Sequence, residues 1–218
     1  MRAAIVAAGP LRDRPGLRTR IRRADLVICA DGGLRAARRL GVRPDAAIGD
    51  FDSATAPLLA WARRAGAEII RHPVEKDQTD AELALGFALA RGAREVELFG
   101  ALGGRVDHLL ANVALLLRGG KARVRIVDGG VEMFLAGPRT VLAARPGDLV
   151  SLLPLSRTVS GVTTSGLKYP LRGAVLREGS SLGISNVVLS ARASVAVRAG
   201  ALLVVHTRRG RGSLRANV

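Results

Sequence analysis

The chain has 218 residues, 48% hydrophobic and 24% charged, a globular composition that excludes intrinsic disorder and suits one large domain or two small ones. Its single cysteine, Cys29, excludes an intrachain disulfide and a Cys-based zinc site, and with aromatics at only 3% the core must be filled by Val, Leu, Ile and Ala. The formal net charge of +16 raises a nucleic-acid surface as one reading, yet the cations are scattered apart from Arg18–Arg23 and Arg208–Arg215, and no aromatic residues interleave with them, so they read better as solvated faces than as a specific nucleic-acid site.

In chain order, Ala3–Ala8 is the first candidate strand. It is too short for a signal segment or a membrane span, so a cytoplasmic protein is expected. Further strands are predicted at Leu26–Ala30, with Cys29 inside it, and at Ala46–Ile48, Glu68–Ile70, Glu95–Phe99 and Arg123–Val127. Helices are predicted near Leu34–Leu40, Ala56–Ala65, Asp80–Ala90 and Val106–Leu117. This alternation predicts an α/β domain with a mostly parallel sheet covered by helices in three layers. Thr79-Asp80-Ala81-Glu82 fits a capping box, with Glu82 reaching back to the Thr79 amide. In the last helix Val106, Leu109, Leu110, Val113, Leu116 and Leu117 form one apolar stripe, expected to face the core.

Beyond Asp128 the helical periodicity stops. Short β-prone runs at Thr140–Ala143, Leu149–Leu153, Ser194–Val197 and Leu202–His206, separated by Gly, Pro and Ser, predict a small all-β sandwich-like domain. The expected organisation is an α/β domain over residues 1–130, a β-domain over 131–208 and a basic tail over 209–218.

Acidic residues gather at three predicted strand ends. In Gly49-Asp50-Phe51-Asp52-Ser53 an extended chain puts Asp50 and Asp52 on one side, where two carboxylates repel unless a cation or proton lies between them. Mg²⁺ suits such a pair, because it takes a few carboxylates and leaves positions for water and phosphate oxygens. On spacing alone a polar turn explains the cluster equally well. In Lys76-Asp77-Gln78-Thr79-Asp80, Thr79 reads as a helix cap and Asp80 as a dipole partner, and the same helix start is also a phosphate site. In Gly100-Ala101-Leu102-Gly103-Gly104-Arg105-Val106-Asp107-His108, glycines such as Gly104 open the backbone to an anion and Arg105 can grip phosphate oxygens. A Walker A sequence and a dinucleotide-binding glycine fingerprint are both missing.

Taken together, Ala30-Asp31-Gly32-Gly33, Pro44-Asp45, Gly49–Ser53, Lys76–Asp80 and Gly103–His108 with Asn112 resemble the thiamine pyrophosphokinase family. The match continues through Gly166-Leu167-Lys168-Tyr169-Pro170-Leu171 and Gly183-Ile184-Ser185-Asn186, so it covers most of the chain in order. The resemblance implies transfer of diphosphate from ATP to the hydroxyl of thiamine, with Mg²⁺, in a homodimer whose thiamine site lies between subunits. By motif it implies that Asp50, Asp52 and Asp80 are metal ligands, that Gln78, Thr79, Arg105 and Asp107 contact the diphosphate and substrate, and that Asp31 lies near the reaction. It makes Tyr169, Ser185 and Asn186 the thiamine-side wall, with Tyr169 standing where some relatives carry Trp. One rival is a diphosphokinase for another alcohol, such as a pterin, on the same scaffold. The other is a basic nucleic-acid-binding protein, which leaves the three acidic clusters unexplained.

Overall fold

The computed structural model describes residues 1–11, 15–52 and 54–209, and these form two compact units, Met1–Gly129 and Gly130–Val218. Ser53 and the tail residues 210–218 lie outside the described residues.

The first unit holds six parallel strands: β1 (Arg2–Val6), β2 (Leu26–Ala30), β3 (Ala46–Gly49), β4 (Glu68–Arg71), β5 (Glu95–Phe99) and β6 (Arg123–Asp128), in the spatial order β6-β5-β1-β2-β3-β4. Five helices connect them: α1 (Leu17–Arg22), α2 (Gly33–Arg39), α3 (Ala56–Arg64), α4 (Asp80–Ala90) and α5 (Val106–Ala114). Side chains alternate across each strand. One face buries Ala4, Val6, Val27, Cys29 and Ala47 with Leu34, Ala37, Leu58 and Leu59 of α2 and α3. The alternate residues Ile5, Ile28 and Ile48 are also buried, and α4 packs across β1, β2 and β3 through Ala81, Ala84, Leu85 and Ala88. The chain moves outward from β1 to β4, then returns beside β1 as β5. That reversal lies between β1 and β5, and open α/β sheets bind ligands beyond the carboxyl ends of the strands at such a point.

The predicted strands of this unit all form, and α4 has the predicted bounds. α1 was not anticipated. The last helix departs furthest from expectation. α5 ends at Ala114 and continues as a 3₁₀ turn, Leu115–Gly119. Val106, Leu110 and Leu117 are 69%, 62% and 48% exposed, so much of the apolar stripe faces outward. The buried residue of α5 is polar: Asn112 donates from Nδ2 to the Ala101 carbonyl at 2.8 Å, turning that face inward, and the tighter 3₁₀ winding breaks the phase of the stripe after Ala114.

The second unit is an antiparallel sandwich. One sheet orders β12 (Asn186–Val187), β9 (Leu149–Pro154), β14 (Leu202–Thr207) and β7 (Val131–Leu135). The other orders β11 (Ala174–Arg177), β10 (Thr158–Ser165), β13 (Ser194–Ala196) and β8 (Thr140–Val141). Phe134, Val150, Leu152, Leu202 and Val204 from the first sheet share a core with Val159, Val162, Leu176 and Val195 from the second. Within it Asp148 is buried against His206, Oδ2 to Nε2 2.8 Å, and Arg209, which the sequence assigns to the tail, donates its N–H to Asp148 Oδ1 at 3.1 Å.

Candidate functional site

The loops after β1, β2 and β5 and the start of α4 line a cleft of about 340 Å³. Ala7–Pro10 form one wall, Gly100, Ala101, Gly103, Gly104 and Arg105 another, and Ala30, Asp31, Thr79, Asp80, Ala81, His108 and Asn112 the rest.

Asp31 follows β2 directly. Its N–H continues the β2–β3 ladder by donating to the Ile48 carbonyl at 2.8 Å, and its φ of 38° then turns the side chain away from the sheet. Gly49 on the neighbouring strand makes room, since a Cβ there would lie 3.0 Å from Asp31 Cβ. Asp45, of the Pro44-Asp45 pair, accepts the Val27 N–H at 2.7 Å and ties the starts of the same two strands together.

After β3, Phe51 adopts a φ of 60°, unusual for a bulky residue, with its ring buried beneath the Arg71 guanidinium at 5.3 Å. The kink brings Asp50 and Asp52 back toward one another, and the Asp52 N–H donates to Asp50 Oδ1 at 3.2 Å. Carboxylate oxygens of Asp31, Asp50 and Asp52 all lie within 4.8 Å of one another. The metal trio read from motifs was Asp50, Asp52 and Asp80; the residues grouped closely here are Asp50, Asp52 and Asp31.

Asp80 opens α4 across the cleft. Lys76 stands between it and the trio, with Nζ 2.9 Å from Asp50 Oδ2 and 3.2 Å from Asp80 Oδ1. The hydrogen bond from Lys76, aided by the Asp52 amide, holds the Asp50 carboxyl below its ordinary range. Burial pushes Asp80 upward and Lys76 offsets that only in part. Asp80 Oδ1 is buried, with the Lys76 ammonium as its charged partner. The close trio of carboxylates fits a hard cation with oxygen ligands.

Thr79 caps α4, its Oγ1 accepting the Glu82 N–H at 3.2 Å. The other half of the expected capping box is replaced: Glu82 accepts from Gln78 Nε2 at 3.1 Å and pairs with Arg118. Gly103 and Gly104 take φ of 84° and 70° before Arg105, whose guanidinium grips Asp107 through two hydrogen bonds of 3.1 and 2.5 Å. Both side chains are solvent-exposed. The hydrogen bond from Arg105 holds the Asp107 carboxyl at about 2, which makes it a poor proton acceptor while that pair persists.

In the second unit Tyr169 is 58% exposed, with Lys168 Nζ 5.3 Å from its ring centre. Ser185 is exposed too, its φ of 57° aiming the N–H at Ser151 Oγ. Asn186 is buried instead, and its amide is taken up by the Tyr169 main chain. The sequence alone gives Lys76 no role: a lysine four residues before Asp80 reads as an ordinary helix-flank charge until the β3 loop is seen against it.

Comparison with known proteins agrees with this layout. The family model "Thiamin pyrophosphokinase, catalytic domain" matches residues 17–135, and "Thiamin pyrophosphokinase, vitamin B1 binding domain" matches residues 140–202. Thiamine pyrophosphokinase of Bacillus subtilis (strain 168) is 33% identical over 207 residues, covering 93% of this chain and 97% of the relative. Thiamine pyrophosphokinase 1 of Oryza sativa subsp. japonica is 28% identical, covering 76% of this chain and 73% of its own. Among solved structures, the thiamine pyrophosphokinase of Bacillus subtilis superposes with a TM-score of 0.86 at 30% identity, over 96% of this chain and 100% of that one. The thiamin pyrophosphokinase of Candida albicans shares the fold, with a TM-score of 0.80 at 16% identity over 94% and 88% of the two chains. The chain belongs to the thiamin pyrophosphokinase family.

Proposed function

We infer that the protein transfers the diphosphate of ATP to the hydroxyl of thiamine, giving thiamine diphosphate and AMP. The observation that carries this reading is the gathering of Asp31, Asp50 and Asp52 at neighbouring strand ends, in a chain matched along its length by the catalytic and the vitamin B1 binding models of one family.

ATP occupies the cleft of the first unit. The turn through Gly103 and Gly104 offers bare backbone to the phosphates. The start of α4, with Gln78 and Thr79, adds the positive end of a helix dipole. Arg105 exchanges Asp107 for phosphate oxygens and steadies charge on the transferring group. Asp31, Asp50 and Asp52 would hold Mg²⁺, with Asp80 facing it. When bound, Mg²⁺ neutralises phosphate charge.

The thiamine hydroxyl oxygen bonds to the β-phosphorus as the bond to the α,β-bridging oxygen breaks, and that oxygen departs with AMP. Positioning and charge neutralisation lower the barrier. The hydroxyl proton passes to a carboxylate. Asp107, released as Arg105 turns to the phosphates, and Asp31 are the carboxylates placed to accept it.

Tyr169 and Ser185 of the second unit supply the thiamine side, backed by Asn186. The outward apolar residues Val106, Leu110 and Leu117 support a homodimer, with thiamine bound where the copies meet. Consumption of ATP places the work in the cytoplasm, and no described helix is long and apolar enough to cross a membrane.

Asp52→Asn tests the site. Turnover is expected to fall by at least ~100-fold, a few kcal/mol of lost transition-state stabilisation, with circular dichroism unchanged. Near-normal turnover of the folded variant contradicts the reading.

A further inference from the structure

The acidic site carries its own cation. The Lys76 side chain is 13% exposed and its Nζ lies within 3.2 Å of both Asp50 and Asp80. A third contact anchors it, a hydrogen bond from Nζ to the Pro73 carbonyl at 3.1 Å. Lys76 precedes α4, so the loop leading into the helix reaches across to the loop that leaves β3. Asp50 is shared: one side faces Lys76, and the residue also belongs to the trio with Asp31 and Asp52. Two carboxylates, Asp50 and Asp80, therefore converge on one ammonium. An exposed pair of this kind would contribute little. Here the ammonium is shielded, and its charge offsets the mutual repulsion of Asp50 and Asp80.

We propose that Lys76 is a positioning residue that acts as an internal counter-cation, holding Asp50 and Asp80 in place before divalent cation and nucleotide arrive and opposing the cation electrostatically for the same carboxylates. The proposal rests on the metal-dependent reading of the site given above. A lysine ammonium is a compact point charge on a flexible stem, so it can fill this place without fixing a directional fork as arginine would.

The test uses Mn²⁺ as the probe, without nucleotide, on the full chain and on Lys76→Met and Lys76→Arg. Affinity is read by calorimetry or by the electron paramagnetic resonance signal of free Mn²⁺. Lys76→Met removes one positive charge near the cation, which tightens Mn²⁺ binding by about fivefold or more, the effect of a unit charge ~8 Å from a dication even at the dielectric constant of water. Lys76→Arg keeps the charge and stays near the wild-type affinity. Chelator-treated Lys76→Met melts below wild type, and Mn²⁺ closes that gap because it replaces the missing charge. Lys76→Gln takes the place of the Met variant if the latter fails to fold.

Unchanged or weaker Mn²⁺ binding in the neutral variants, with a melting deficit that Mn²⁺ leaves in place, marks a merely structural lysine and overturns the proposal alone. Absence of Mn²⁺ binding by the wild-type chain overturns the metal reading of the site and this proposal with it.

Discussion

The side-chain amide of Asn186 is paired in both directions with the main chain of Tyr169. Oδ1 accepts the Tyr169 N–H at 3.0 Å and Nδ2 donates to the Tyr169 carbonyl at 2.6 Å. The same Oδ1 accepts the Val187 N–H at 2.9 Å. Next to it, the Lys168 N–H donates to the Val187 carbonyl and Leu167 bridges Val188, so the amide extends a short ladder by one residue pair. Asn186 thus acts on the exposed Tyr169 from behind.

Asn186→Ala leaves the Tyr169 amide and carbonyl without these partners, at a cost of about 1–3 kcal/mol. If Tyr169 lines the thiamine pocket, the apparent KM for thiamine rises more than kcat falls, while the KM for ATP is unchanged. Steady-state kinetics with each substrate varied in turn checks this.

Gly33 is a second point of close approach. A Cβ there would lie 1.9 Å from the Val6 carbonyl oxygen, at the seam between α2 and the end of β1. Backbone cannot yield as a flexible side chain does. Gly33→Ala is expected to cost about 3 kcal/mol or more, the upper range for overpacking, and to lower activity by shifting Asp31 two residues away. Urea denaturation measures the first effect and turnover the second.

Asp148 links pH to stability in the second unit. Burial alone would raise its carboxyl, but hydrogen bonds from the Arg145 amide, His206 and the Arg209 amide outweigh that and hold it below the ordinary range. A depressed carboxyl contributes stability above its unfolded value, near ~3.9, and loses it as pH falls through the lower folded value. Asp148→Ala is expected to cost about 3–5 kcal/mol at neutral pH, because His206 and two main-chain amides lose a buried partner. The variant also loses less stability than wild type on acidification below pH ~4. Thermal melts of the full chain across pH check both statements.

Cys29 lies fully buried in β2, and burial, reinforced by the charge of Asp45, pushes its thiol far up. A thiol reagent such as dithionitrobenzoate is expected to leave the native protein unmodified and to report one thiol per chain in denaturant.

The α/β half was legible because its central strands β1, β2 and β3 are apolar runs closed by Gly or Asp, as in Leu26–Ala30 followed by Asp31-Gly32-Gly33, while β5 and β6 alternate apolar with charged residues, as in Glu95-Val96-Glu97-Leu98. The β half was only partly legible. Thr158–Ser165 alternates small polar and apolar residues around Gly161, and Asn186–Val187 is two residues long, so neither carries a strong local signal. The Val106–Leu117 stripe misled for a different reason: periodicity shows that a helix has an apolar face and cannot say what covers it. At the site, motif order named the carboxylates. The grouping of Asp31 with Asp50 and Asp52 depends on the turns at Asp31 and Phe51, two non-glycine residues with positive φ that no propensity predicts.

Diphosphate transfer from ATP to thiamine can be read directly from its products. The direct measurement is product analysis after incubating the purified protein with ATP, Mg²⁺ and thiamine. AMP and thiamine diphosphate are expected in equal amounts, with both absent when Mg²⁺ is chelated. ADP accompanied by thiamine monophosphate, or no thiamine product from the folded, Mg²⁺-supplied protein, would contradict it.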